Sequence, residues 1–271
     1  MFRKERREMS LKTHGVGGRK RRTDGFRLLA AALLSLLFLC ATACARTNEG
    51  GSKPGMKEGE KGGAIVYAAL GDSTGVGVGA RNGGYVVRLF NRIADARPGS
   101  KLTNVCVSGA TTEDVLRGQL EPALAARPNL ITLGIGINDV GHRMSVETFA
   151  RNYETIIKRL KTANAPIIIT NIPDVSLAPV VPPGARDEAA RRIMLFNERI
   201  SEIAARYGLL VVDAFKVTRA TIPTRPDFFS DDGFHPSDAG YEYWAEAMWP
   251  TVKKSLEEIG RLNTDERPIR I

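Results

Sequence analysis

The feature that most constrains this chain is an alternation. Five short apolar runs, at 64–70, 102–107, 130–135, 167–172 and 209–214, are separated by segments of helical period. Val146, Phe149, Tyr153, Ile156, Ile157 and Leu160 fall on one helical face, as do Ile193, Phe196, Ile200, Ile203, Ala204 and Tyr207. A last helix, with Ser237 as its N-cap, carries Tyr241, Trp244, Ala245, Met248, Val252 and Leu256. The stretches 84–97 and 112–127 supply the other helices. The apolar runs are near-continuous, as in strands buried on both faces. The expected fold is therefore α/β, a three-layer α/β/α sandwich around a central five-stranded parallel sheet. In such sheets ligands bind beyond the carboxyl ends of the strands.

The pattern starts only at residue 64. Ahead of it, a basic segment precedes an uncharged stretch, Leu28 to Leu39, with the length of a secretory h-region. Small residues follow, Ala41-Thr42-Ala43-Cys44. Three outcomes stay open: cleavage at the Ala41-x-Ala43 pattern, lipid attachment at Cys44 as in a bacterial lipobox, or an uncleaved anchor. The Arg21-Arg22 pair reads as part of the basic segment. Residues 45–63 are polar and glycine-rich, cannot bury a core, and read as a flexible tether. The expected organisation is a leader at 1–44, a tether at 45–63, one folded domain at 64–260 and a polar tail at 261–271. The protein is expected to be exported, either as a cell-envelope lipoprotein or in secreted form.

This division also explains the charge. The net charge is +9, but residues 1–44 hold ten Lys/Arg against three acids, leaving only about +2 for the rest. No electrostatic footprint for nucleic acid remains. Of three cysteines, Cys40 and Cys44 sit in the leader and Cys106 stands alone, so neither a disulfide nor a cysteine zinc site can form within the domain. Cys106 reads as an inert buried thiol.

The strand ends carry the chemistry. After the first run comes Gly71-Asp72-Ser73-Thr74-Gly75, after the second Ser108-Gly109-Ala110-Thr111, and after the third Gly136-Ile137-Asn138-Asp139. After the fifth and a loop comes Asp231-Asp232-Gly233-Phe234-His235-Pro236. A serine nucleophile needs a base, and the base needs an orienting partner. His14 lies in the leader, and His142 has only Asp139 nearby. His235 has Asp232 three residues before it, with Asp231 the alternative orienter if Asp232 serves only the turn.

Together these segments resemble the SGNH/GDSL hydrolase family, over roughly residues 64–250. The resemblance implies the family's flavodoxin-like sandwich and a serine esterase or acylhydrolase working through an acyl-enzyme. It implies Ser73, Asp232 and His235 as catalytic residues. It also implies an oxyanion hole from the backbone N–H groups of Ser73 and Gly109 and the side-chain amide of Asn138. Thr74 stands where many members carry Leu or Ile. No cofactor or metal is implied.

Blander readings stand beside these. Asp139 reads as a loop or N-cap residue, Asp72 as a structural hydrogen-bonding residue, and His142 as a loop residue near the cleft mouth. Gly71-x-Ser73-x-Gly75 matches the nucleophile elbow of α/β-hydrolases, but here the serine follows the first strand. Gly75-Val76-Gly77-Val78-Gly79-Ala80 matches a dinucleotide fingerprint, but Arg81-Asn82-Gly83-Gly84 follows where a helix should open. The alternative function is a non-catalytic ligand- or glycan-binding module on a hydrolase scaffold. Expected partners are a small-molecule, lipid or glycan ester and, through Cys44, a membrane. The substrate itself is not legible. The loops 173–186 and 216–230 are expected to shape its pocket, with Val175, Leu177, Val180 and Val181 either meeting an acyl chain or packing the loop.

Overall fold

The computed structural model describes residues 62–265. The leader, Cys44 and the tether up to residue 61 lie outside the described residues.

Five strands form one sheet in the order β2-β1-β3-β4-β5, with every neighbouring pair parallel. They are β1 (Val66–Gly71), β2 (Lys101–Asn104), β3 (Leu130–Gly134), β4 (Ile167–Thr170) and β5 (Leu210–Val212). The expected parallel sheet is present, with shorter strands than the apolar runs. Asp213 caps the helix after β5, its carboxylate accepting from the N–H of Lys216, so Ala214 is already helical. β2 ends at Asn104, yet the N–H groups of Val105 and Val107 still reach the carbonyls of Ala69 and Gly71.

Side chains alternate across the sheet as the period of two requires. Ala68 and Leu70 of β1 enter one core with Ile131, Leu133 and Ile169. Tyr67 and Ala69 enter the other, with Leu130 and Ile168. The first core is closed by α6 (Val146–Leu160) and α7 (Arg186–Tyr207), through Phe149, Ile156, Phe196 and Ile200. The second is closed by α2 (Tyr85–Ala96) and α9 (Asp238–Asp265), through Val86, Leu89, Tyr241, Met248 and Val252. The helical faces expected for these segments are the buried ones. Burying an aliphatic or aromatic side chain of this size contributes about 1.5–3 kcal/mol.

Two segments depart from expectation. The stretch 112–127 is not one regular helix: a short turn, α3 (Thr112–Asp114), leads into a π-helical segment, Val115–Gln119, and then α4 (Leu120–Ala125). At the far end, α9 runs on to Asp265, so the expected tail begins as helix.

The chain leaves β1 for β2 on one side and comes back to β3 on the other. The gap between the carboxyl ends of β1 and β3 is therefore the switch point, where the crossover connections diverge and leave a crevice.

Candidate active site

Ser73 opens the one-turn helix α1 (Ser73–Val76) directly beyond β1. The backbone there is pinned from two sides. Gln119, in the π-helical segment, donates to the Gly71 carbonyl at 2.8 Å and accepts from the Gly71 N–H at 2.9 Å. A Cβ on Gly71 would come within 2.4 Å of the Gly134 carbonyl oxygen on β3, so this close approach needs glycine. Asp72 caps α1, its Oδ1 accepting from the Thr74 N–H at 3.0 Å and the Thr74 hydroxyl at 2.8 Å. Asp72 is thus the structural hydrogen-bonding residue its sequence position indicated. Burial pushes its carboxyl up to about 6, against the lowering effect of the Thr74 bonds and of nearby His235.

The glycine run behind Ser73 closes a helix rather than opening one. Gly77 ends α1 in a left-handed conformation, φ 97°, with Gly84 N only 2.2 Å from where its Cβ would be. That geometry offers no helix N-terminus to a dinucleotide phosphate.

His235 is delivered by a tight turn across residues 229–236. Phe229 pairs antiparallel with Pro236, and the Ser230 N–H donates to the His235 carbonyl at 2.9 Å. Asp232 organises this turn. Its Oδ1 accepts from the N–H groups of Phe234 and His235, both at 2.8 Å, and from the Ser230 hydroxyl at 2.9 Å. Its Oδ2 lies 2.6 Å from His235 Nδ1. Partial burial raises the carboxyl, but the bonds from the His235 ring, from the Phe234 and His235 amides and from Ser230 outweigh it and hold Asp232 well below the usual range. With Nδ1–H donated to Asp232, Nε2 is left to accept from Ser73 Oγ, 2.9 Å away. The structure so brings Ser73, His235 and Asp232 into one chain of hydrogen bonds, and this carboxylate is Asp232 rather than Asp231.

Gly109 comes from the loop beyond β2 and Asn138 from the short helix beyond β3. Gly109 has φ 78°, and a Cβ at this position would meet nothing within 4 Å, so it is glycine for its backbone angle and faces open space. Asn138 sits in α5 (Ile137–Gly141) and donates its amide to the Ala110 carbonyl at 2.9 Å.

Asp139, next to Asn138, is neither a loop nor an N-cap residue. It is fully buried inside α5 and accepts from the Thr112 N–H at 3.1 Å and the Thr112 hydroxyl at 2.5 Å. It ties α5, which carries Asn138, to the start of α3. His142 is exposed at the C-cap of α5, where its N–H donates to the Asn138 carbonyl. Cys106 packs behind α1: a Cβ on Gly75 would lie 2.3 Å from its Sγ. Burial pushes its thiol well up, with Asp72 adding to the effect, which leaves it protonated and unreactive. Gln119 and the Asp139–Thr112 tie were not legible as parts of the site. A glutamine and an aspartate at otherwise apolar positions were the available signal.

Beside Ser73 and His235 lies an apolar hollow. It runs between α8 (Ala214–Thr221), α9 and the 222–237 loop, with Val175, Val217, Ile222, Phe228, Phe234 and Tyr243 among its walls. Of the loop residues expected either to meet an acyl chain or to pack the loop, Val175 lines this hollow, Leu177 lines a second one that shares Ile222 with it, Val180 is exposed, and Val181 lines neither. Among the described residues no three His, Cys, Asp or Glu side chains converge where a cation would sit.

A family profile described as GDSL-like Lipase/Acylhydrolase matches residues 69–243. The chain belongs to that family. Within the GDSL-like family it is similar to the acetylxylan esterase of Geobacillus stearothermophilus, 26% identical over 67% of this chain and 83% of that one. It is also similar to esterase TesA of Pseudomonas aeruginosa, 25% identical over 71% of this chain and 90% of that one. The GDSL-like esterase Rv1075c of Mycobacterium tuberculosis is 24% identical, and the match spans 66% of its length. In three dimensions the chain resembles a crystal structure of TesA, with TM-score 0.59, 25% identity, and 70% of this chain and 99% of that chain covered. A lipase/acylhydrolase from Enterococcus faecalis matches with TM-score 0.58 and 27% identity, over 71% of this chain and 97% of that chain.

Proposed function

We propose that this GDSL-family protein is a serine esterase that cleaves carboxylic esters through an acyl-enzyme. The observation that carries the reading is His235, bonded at one ring nitrogen to Asp232 and at the other to Ser73 Oγ.

On this reading Ser73 Oγ attacks the ester carbonyl carbon while its proton passes to His235 Nε2. The carbonyl oxygen takes up negative charge and is met by the N–H groups of Ser73 and Gly109 and by Asn138 Nδ2. The intermediate collapses with loss of the C–O bond to the alcohol, and His235 returns the proton to the departing oxygen. Water repeats the cycle, giving the acid and restoring Ser73. Asp232 stays ionised throughout, orienting the imidazole and stabilising its cation. Its strongly lowered pKa supports that role.

The test is a fluorophosphonate probe on wild type and Ser73→Ala, with p-nitrophenyl ester turnover in parallel. Labelling and turnover lost together in the variant support the reading. A wild type that neither labels nor turns over any ester supports a non-catalytic binding module instead. The proposal extends to location: lipid attachment at Cys44 would place the domain at a membrane surface, and a fatty-acid label absent from both wild type and Cys44→Ser would overturn that.

A further inference from the structure

We infer that the hollow beside Ser73 is an acyl-chain pocket, and that Ile222 and Phe229 are the partition that sets the chain length it accepts. The inference rests on the esterase reading and deepens it.

The chemistry of the walls suits an alkyl chain better than a sugar. Val175, Val217, Ile222, Phe228 and Phe234 offer no hydrogen-bonding groups. The threonines that line it have already used their hydroxyls: Thr218 donates to the Ala214 carbonyl at 2.7 Å, and Thr221 to the Val217 carbonyl at 2.8 Å. Thr218 Oγ1 also accepts from the Asp174 N–H at 2.8 Å. Trp244 contributes a buried N–H without a partner and Tyr243 a hydroxyl, two groups where a sugar ring needs several donors and acceptors. Buried polar groups left unpaired on a carbohydrate would each cost binding energy, whereas an alkyl chain gains from every methylene it buries.

The chain in the pocket belongs to the acid rather than the alcohol. The alcohol must leave before water can reach the acyl carbon, whereas the acyl group stays bonded to Ser73 Oγ until hydrolysis. Buried Val212 and Ala214 line the hollow, so it reaches inward to the edge of the sheet. A pocket of this kind suits the part of the ester that remains.

Its outer end is defined by two side chains. Ile222 and Phe229 line this hollow and also a second one formed with Leu177, Pro179 and Pro226. They stand between the two spaces. Both are half-buried on the loop behind α8, with no ladder holding Ile222 in place. Truncating them joins the spaces and lengthens the pocket.

The experiment measures kcat/KM on two ester series. In one the leaving group is always p-nitrophenol and the acyl chain grows from acetate to dodecanoate. In the other the acid is always acetate and the alcohol grows. We expect kcat/KM to rise with acyl length by about three- to fourfold per methylene until the pocket is full, the factor given by burying one CH₂. Alcohol length should have little effect. Ile222→Ala/Phe229→Ala should move the acyl optimum to longer chains. Ala247→Phe, which adds bulk to the α9 wall, should depress octanoate turnover far more than acetate turnover, with thermal unfolding checked to show that the variant folds. A wild type that prefers acetate, or that responds to alcohol length instead, overturns the pocket while leaving the esterase reading intact if Ser73 still labels. An unmoved optimum in the double variant overturns the partition. Absence of both labelling and turnover overturns the esterase reading and the pocket with it.

Discussion

Asn138 donates its side-chain amide to the carbonyl of Ala110 at 2.9 Å, fastening α5 to the loop after β2. Gly109, the neighbour of Ala110, is one of the two backbone donors in the proposed oxyanion hole. One hydrogen bond thus sets the spacing of two of its donors. An amide carries two N–H groups, so the bond to Ala110 fixes the plane and leaves one N–H to give. Asn138→Ala should lower kcat by roughly 10²–10³ with little change in KM, because the charge it meets develops only in the transition state. Asn138→Asp should do no better, since a carboxylate donates nothing. Steady-state kinetics on a p-nitrophenyl ester check this, and a change confined to KM would instead make Asn138 a ground-state binding residue.

The turn that carries His235 allows the two aspartates to be separated. Both are exposed, but it is Asp232 that accepts from the His235 ring and from three further donors in the turn. His235→Ala should be nearly as damaging as Ser73→Ala, and the double variant should be no worse than either, because the two act as one unit. Asp232→Ala should be about 10–100-fold less damaging than these, and Asp231→Ala close to wild type. An Asp231 variant more impaired than the Asp232 variant would reverse the assignment.

Asp139 is predicted to matter for stability first. Its carboxylate is buried and holds both the N–H and the hydroxyl of Thr112. Burial raises its pKa, with the Thr112 bonds opposing that rise. Asp139→Ala removes the carboxylate acceptor of two buried donors, at about 1–3 kcal/mol each, so a loss of roughly 2–6 kcal/mol is expected. Asp139→Asn keeps one acceptor oxygen and should lose less. Urea unfolding of the two variants decides it; equal, small losses would mean that water replaces the carboxylate at Thr112.

The layers of the fold were legible because burial on both faces leaves apolar runs, and burial on one face leaves a period of 3.6. The strand ends were less so. Gly71 belongs to the ladder although it is not apolar, while Ile172 belongs to an apolar run but lies past the end of β4. The chain Ser73–His235–Asp232 could be read because each member has a local signature, a strand end or a three-residue spacing. The Asp139–Thr112 tie joins residues 27 positions apart, and Gln119 clamps Gly71 across 48. No local period encodes such pairs. The apolar hollow was legible in part: the stretches 173–186 and 216–230 line it as expected, whereas the share taken by α9 was not, because Tyr243, Trp244 and Ala247 read equally well as core.

Asp72 makes stability depend on pH in an uncommon direction. Most of the shifted carboxyls are lowered, such as Asp114, Asp227, Asp238 and Glu242, mainly by hydrogen bonds, so their contribution is lost only in acid. Asp72 is buried at 3% exposure and its pKa is pushed up to about 6 from 3.8. The folded protein therefore holds a proton at Asp72 that the unfolded chain gives up. Between about pH 4 and pH 6 the folded state binds more protons at this site, so its stability falls as the pH rises, and above about 6 the full cost of a buried charge is present. Two pK units correspond to roughly 3 kcal/mol. Asp72→Asn retains an oxygen to cap Thr74 and cannot ionise. Relative to wild type it should gain stability progressively from pH 4 upward, reaching a gain of up to about 3 kcal/mol near pH 7.5, which for a domain of this size is a rise in Tm of roughly 5–10 °C. Thermal unfolding of both proteins from pH 4.5 to 8 measures the difference. Parallel curves across that range would show that Asp72 bears no such cost, and that the charge is stabilised by the nearby His235 more strongly than burial opposes it.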